Sequence, residues 1–168
     1  MKVKVLVTYF SKTGNTKKLA QAIYEGVEHS EKEIQSIQEA GDFGQYDLIF
    51  CGFPVHASSV PQKAADLLKK IPADCKTAIF ATHGSLRGGQ LALTAFHHAA
   101  SLVRGKVIGT FGCRGKVEDA VLEALLSKPE HKAWVEEAQS AFGHPDAADL
   151  EDGKDFARRM VIKSRSDQ

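Results

Sequence analysis

A chain of 168 residues, 43% hydrophobic and 26% charged, is long enough to bury one core without disulfides or a structural metal and too short for two full domains. Its formal net charge of +1 provides no global field to draw in nucleic acid or an anionic membrane, and no apolar run approaches the ~20 residues that span a bilayer. Cys51, Cys75 and Cys113 show no CxxC spacing, so neither a disulfide framework nor a zinc site is expected. The opening run Lys2 to Val7 is too short and too alternating for a signal peptide, and a cytoplasmic location is predicted.

In chain order, the first strand is expected over Val3 to Tyr9. A helix follows just after Gly14-Asn15, with Thr16, Leu19, Ile23 and Val27 on one apolar stripe. A weaker strand pattern covers Glu33 to Ile37, and a stronger one Tyr46 to Cys51. The next helix starts at Pro61, a residue suited to the first helical position, and closes at Pro72. Strand Thr77 to Ala81, helix Gln90 to Val103 and strand Lys106 to Phe111 come next. Three helical patterns complete the chain: Val117 to Leu126, Glu130 to Phe142, and Asp149 to Ile162. The strands are nearly continuous in apolar character, as required when helices cover both faces of a parallel sheet. Five strands alternating with helices suit a doubly wound sheet of order 2-1-3-4-5 better than a six-stranded Rossmann sheet. Residues 1–162 form one domain in this reading, and 163–168 a frayed tail.

Open parallel sheets bind ligands beyond the carboxyl ends of their strands. After the first strand the chain reads Ser11-Lys12-Thr13-Gly14-Asn15-Thr16 and enters a helix. A phosphate dianion needs many short donors and little bulk. Free amides at a helix start supply the donors together with the positive end of the helix dipole, and Gly14 admits close backbone approach. Ser11, Thr13 and Thr16 add hydroxyl donors and Lys12 a flexible cation. An ordinary helix cap uses the same residue types. A Walker A motif is excluded because the lysine precedes the only glycine, and GxGxxG is missing.

This hexapeptide resembles the phosphate loop of flavodoxins, Ser/Thr-x-Thr-Gly-Asn-Thr after an apolar strand. The similarity extends to Phe53-Pro54-Val55-His56, to Ala81-Thr82-His83-Gly84-Ser85, and to the segment from His144-Pro145-Asp146 through Phe156-Ala157. The resemblance implies a flavodoxin-like three-layer sandwich that holds flavin mononucleotide (FMN). Ser11, Lys12, Thr13, Gly14, Asn15 and Thr16 would hold its phosphate. Pro54, Val55, His56, Ala57 and Ser58 would flank the isoalloxazine ring, with Thr82, His83, Gly84, Ser85, Gly88, Gly89 and Gln90 on its other side. No metal ligands and no catalytic residues are implied, since the flavin does the electron chemistry.

The chain departs from the familiar acidic carriers, which often sandwich the flavin between a tryptophan and a tyrosine. Trp134 falls in a late helical pattern, and the ring loops offer Phe53, His56 and His83, with Phe53 read as core. The segment Pro54 to Ser58 contains no glycine, so a peptide flip there costs more and weaker stabilisation of one-electron-reduced flavin is expected. His56 and His83 are candidate proton donors or simply hydrogen-bonded strand-end histidines. The neighbours His97 and His98 point in different directions on a helix, which argues against a metal site. Cys51 and Cys113 read as small packing residues. Cys113-Arg114-Gly115 lacks the Cys-x5-Arg loop of small tyrosine phosphatases. The expected role is electron transfer with a redox partner protein, the alternatives being reduction of a small electron acceptor such as a quinone, or a flavin-free binding scaffold.

Overall fold

The alternation of side chains along the central strands decides the layering. In β1 (Lys4–Tyr9), Val5 and Val7 face one side and Leu6 the other; in β3 (Leu48–Pro54), Leu48 and Phe50 oppose Ile49, Cys51 and Phe53; in β4 (Lys76–His83), Ala78 and Phe80 oppose Ile79 and Ala81. All of these side chains are fully buried, so both faces must be covered. With β2 (Glu31–Ser36) and β5 (Val107–Arg114) they form a five-stranded parallel sheet of order β2-β1-β3-β4-β5. The computed structural model describes residues 2–166.

One face carries α1 (Asn15–Gly26) and α6 (Ala147–Ser166), the other α2 (Gln62–Lys70) and α3 (Gln90–Leu102). Two glycines let α1 and α6 approach closely. A Cβ on Gly26 would lie 2.5 Å from the Lys154 carbonyl oxygen, and one on Gly153 would lie 2.8 Å from Leu19 Cδ1. Phe156 of α6 stacks on Phe111 at 5.4 Å and meets Phe50 edge-on at 6.0 Å, joining the helix to the sheet. The first turn of α6 carries a reciprocal cap: Asp146 Oδ1 accepts from the Asp149 amide and Asp149 Oδ2 from the Asp146 amide, each at 2.9 Å.

Between β5 and α6 the chain builds an extra unit. Helix α4 (Asp119–Leu126), a 3-10 turn (Pro129–His131) and α5 (Lys132–Gln139) share a small core of Leu122, Val135 and Ala138, with Val117, Leu125 and Trp134 packed on it. Among the described residues no helix is long and apolar enough to cross a membrane.

The fold agrees with the expected class and strand order, and the differences lie at the ends of elements. The strands facing the ligand loops run two or three residues further than their apolar runs, to Pro54, His83 and Arg114, because ladder pairing holds polar residues as well as apolar ones. Tyr46 lies outside β3, at the end of a 3-10 turn, where its hydroxyl donates to Glu33 at 2.8 Å. The expected Glu130 to Phe142 helix is split into the 3-10 turn and α5. The tail expected to fray over 163–168 is helical through Ser166: Lys163 Nζ donates to the Ile108 carbonyl, Lys76 Nζ to that of Ser164, and Ser164 is buried. Residues 167 and 168 lie outside the described residues.

Gly52 faces the Phe80 ring, which a Cβ there would meet at 2.0 Å. Gly52→Ala is therefore expected to lower stability by about 3 kcal/mol through overpacking, read from the urea midpoint of the flavin-free protein.

Candidate functional site

The carboxyl ends of β1, β3, β4 and β5 open into a cavity of about 540 Å³. Its first wall is the turn from β1 into α1. Gly14, at φ 99°, precedes the helix, and Ser11 Oγ accepts from the amides of Gly14 (3.1 Å) and Lys17 (3.3 Å). Ser11 and Gly14 thus shape the loop, while Lys12, Thr13, Asn15 and Thr16 line the cavity. The first amides of α1 have no intrahelical acceptor and carry the positive end of its dipole. Thr16 Oγ1 pairs with Thr82 Oγ1 at 2.8 Å, tying α1 to the end of β4. Lys12 Nζ lies at the rim, 3.9 Å from Glu118.

The second wall follows β3. Pro54, Val55, His56 and Ala57 line the cavity, and the Val55 amide donates to the Thr82 carbonyl at 2.9 Å. Ala57 (φ 45°) and Ser58 (φ 65°) occupy a two-residue turn closed by paired hydrogen bonds between His56 and Ser59. Positive φ at both central residues is ordinarily left to glycine and asparagine. The turn carries strain in its resting form, a feature that clusters at functional sites. Ser58 itself does not line the cavity.

At the end of β4, Thr82 and His83 line the cavity together with Gly84, and Ser85, Gly88, Gly89 and Gln90 do not. Ser85 is buried against His83. Gly88, at φ 76°, borders a separate groove along the outer edge of β5. Gly89 precedes α3, and Gln90 begins it with Nε2 donating to Thr94 Oγ1 at 3.1 Å. Arg87 leaves the cavity altogether: it lies over the Phe111 ring, donates to the Gly112 carbonyl and pairs with Asp152 at 2.8 Å.

The third wall has no counterpart in the sequence reading. Val117, Val121, Leu125 and Trp134 from the extra unit, with Leu91 of α3, form an apolar roof, and His131 adds an imidazole to it. Trp134 therefore belongs to the site, against the expectation drawn from its late helical position. Gly84 makes room for this roof, since a Cβ there would lie 2.4 Å from Val117 and 3.9 Å from Trp134. Arg114 fastens it. Its Nη2 donates to the Gly84 carbonyl (3.3 Å), the Glu137 carbonyl (2.8 Å) and Ser140 Oγ (2.7 Å), while Glu137 Oε1 accepts from the Leu86 amide. The one signal in the sequence is the long stretch from Gly115 to Asp146, more than a strand-to-helix connection needs.

His83 Nδ1–H donates to the Ser85 carbonyl at 2.9 Å, and Nε2 is buried without a partner. Burial pushes the imidazole below its ordinary value of 6.5; the Ser85 carbonyl opposes that shift, and the charges of Arg114 and Arg87 add to it. The neutral ring is then the resting form, and its only proton is committed to a carbonyl, which removes His83 as a ready proton donor. His56 is exposed at the rim. Burial pushes the Cys51 and Cys113 thiols up to about 12, and neither lines the cavity; both are packing residues. His98 Nδ1 lies 3.1 Å from Ser59 Oγ, behind the strained turn.

The flavodoxin domain family model matches residues 6–158. A flavodoxin-like domain-containing protein, BilS of Clostridioides difficile, is 29% identical over 175 residues, covering 96% of this chain and 98% of that one. Among solved structures, a flavodoxin, WrbA-like protein from Agrobacterium tumefaciens superposes with a TM-score of 0.65 at 18% identity, over 99% of this chain and 100% of its own. A flavoprotein from Lactobacillus acidophilus, solved in complex with FMN, superposes with a TM-score of 0.53 at 21% identity, over 66% of this chain and 93% of its own.

Two outcomes are expected. Ala57→Gly and Ser58→Gly each stabilise the flavin-free protein by about 0.5–1 kcal/mol, since relief of the left-handed backbone exceeds the added freedom of the unfolded chain; urea unfolding measures it. For His83 the unfolded chain takes up the proton first, so its contribution to stability is complete above about 6.5 and declines as pH falls below that value. His83→Gln should flatten the decline, as read from urea midpoints between pH 7.5 and 5.

Proposed function

Because the chain belongs to the flavodoxin domain family, we propose that it is a flavodoxin-type redox protein that binds FMN and exchanges electrons with a protein partner. The observation that carries this reading is the cavity itself, which joins the amides at the start of α1 to the two loops at the ends of β3 and β4. Open space beside Gly14, where a Cβ would meet nothing within 4 Å, admits a phosphate to those amides. Thr13 and Lys12 add a hydroxyl and a cation at the same end. The walls at Val55 to Ala57 and at Val117 and Trp134 suit a flat aromatic ring and exclude water from it. A flavoprotein of the same fold holds FMN. When bound, FMN supplies the electron chemistry, and the protein tunes it through backbone donors and packing.

Exposed apolar side chains on the extra unit and the loop beside it, Val121, Leu126 and Leu86, support docking of a protein partner. A second reading, reduction of a small acceptor such as a quinone, is favoured by the roof, whose apolar side chains would shelter such a molecule.

The test is FMN titration followed by anaerobic photoreduction, with cytochrome c or a soluble quinone then offered to the reduced protein. One FMN per chain, reduction that passes directly to the fully reduced form, and faster oxidation by cytochrome c than by quinone are expected. Faster oxidation by quinone would transfer the role to a reductase, and failure to take up FMN would leave a binding scaffold.

A further inference from the structure

Asn15 sits in the phosphate loop, yet its carboxamide is bound to a distant segment of the chain. Its Nδ2 donates to the Lys116 carbonyl at 2.9 Å, 101 positions along the chain. Gly115 is what allows this approach: a Cβ there would lie 2.8 Å from Asn15 Nδ2 and 3.2 Å from its Cβ and Cγ. The segment that Asn15 holds is where the roof leaves the sheet. The Gly115 amide donates to the His83 carbonyl, the last rung of β4, and the Lys116 amide donates to the His144 carbonyl, where the chain leaves the roof for α6. Val117, the next residue, lies over Gly84.

We propose that Asn15 is a positioning residue whose side chain clasps the roof to the phosphate loop and so holds the roof over the ring whether or not a phosphate is seated. The inference rests on the FMN reading for its ligand but not for its geometry. The clasp joins the two ends of the cavity: α1, where the amides lie, and the strand-end segment that carries Val117 toward Trp134 and Leu125.

Riboflavin, which lacks the phosphate, separates this role from direct phosphate binding. Trp134, the only tryptophan, reports on the roof without any flavin. In Asn15→Ala, affinities for FMN and riboflavin should fall by the same factor, roughly three- to tenfold, the size of one hydrogen bond. Acrylamide quenching of Trp134 in the flavin-free protein should rise. Gly115→Ala leaves the phosphate-loop sequence intact and should reproduce both effects by pushing the carboxamide aside. The double variant should be no worse than either single one, as for two residues in one contact.

Loss of FMN affinity alone, with riboflavin binding and Trp134 quenching unchanged, would overturn the proposal and assign the carboxamide to the phosphate. A lower urea midpoint with both affinities at the wild-type level would overturn it as well. If the wild-type protein takes up neither flavin, the FMN reading fails while Trp134 quenching in the variants still decides whether the clasp holds the roof.

Discussion

Burial of both faces of β1, β3 and β4 is the constraint on which the rest of this structure depends. Val5, Leu6, Val7, Ile49, Phe50, Ile79 and Phe80 have no exposed surface. At roughly 25 cal/mol per Å² of apolar area removed from water, leaving either face of such strands open would cost more than a domain of this size has in reserve. The helical connections that cover both faces join strands that run parallel, so the β1, β3 and β4 loops all lie at the same end of the sheet. The cavity is a consequence of that arrangement. Close contact of α1 with α6 through Gly26 and Gly153 then seats the body of α1, and the Thr16–Thr82 hydrogen bond ties its start to the end of β4.

The roof obeys a different logic. Its own core is small, with Leu122, Val135 and Ala138 buried, and polar links hold it to the domain. Arg114 at the end of β5 binds two carbonyls of the roof, one side chain of it and the Gly84 carbonyl; Glu137 and Asn15 supply the others. Hydrogen bonds of this kind contribute about 1 kcal/mol each, far less than the apolar burial under the sheet. The part of the site that covers a ligand is thus the part held least firmly, as expected for elements that admit and release one.

The buried titratable groups in and behind the cavity, His83, Cys51 and Cys113, are arranged for silence rather than for acid-base work. His83 is held neutral by burial with its single proton on a carbonyl, and the strand-end thiols are pushed far above neutrality. What the site offers a ligand is backbone amides, small side chains and an apolar roof. Such a site is built to enclose a ligand and shield it from water.

Much of this was legible in the residues themselves. Apolar runs of strand length alternating with helical stripes determined the class and the strand order, because two-sided burial and handed crossovers leave few alternatives. The turn from Ser11 to Thr16 marked one wall of the cavity, because a tight turn into a helix start restricts which residues can stand there. Local patterns do not encode which distant surfaces meet. Trp134, His131 and Val121 carried no mark of a cavity wall, Arg87 and Gly88 gave no sign of turning toward β5, and Lys163 and Ser164 none of an anchored tail. Only the tertiary structure decided these, since they depend on where α4, α5 and α6 dock. That docking is governed by contacts between residues far apart in the chain, such as Arg114 with Glu137 and Asn15 with Lys116, which no periodicity or composition records.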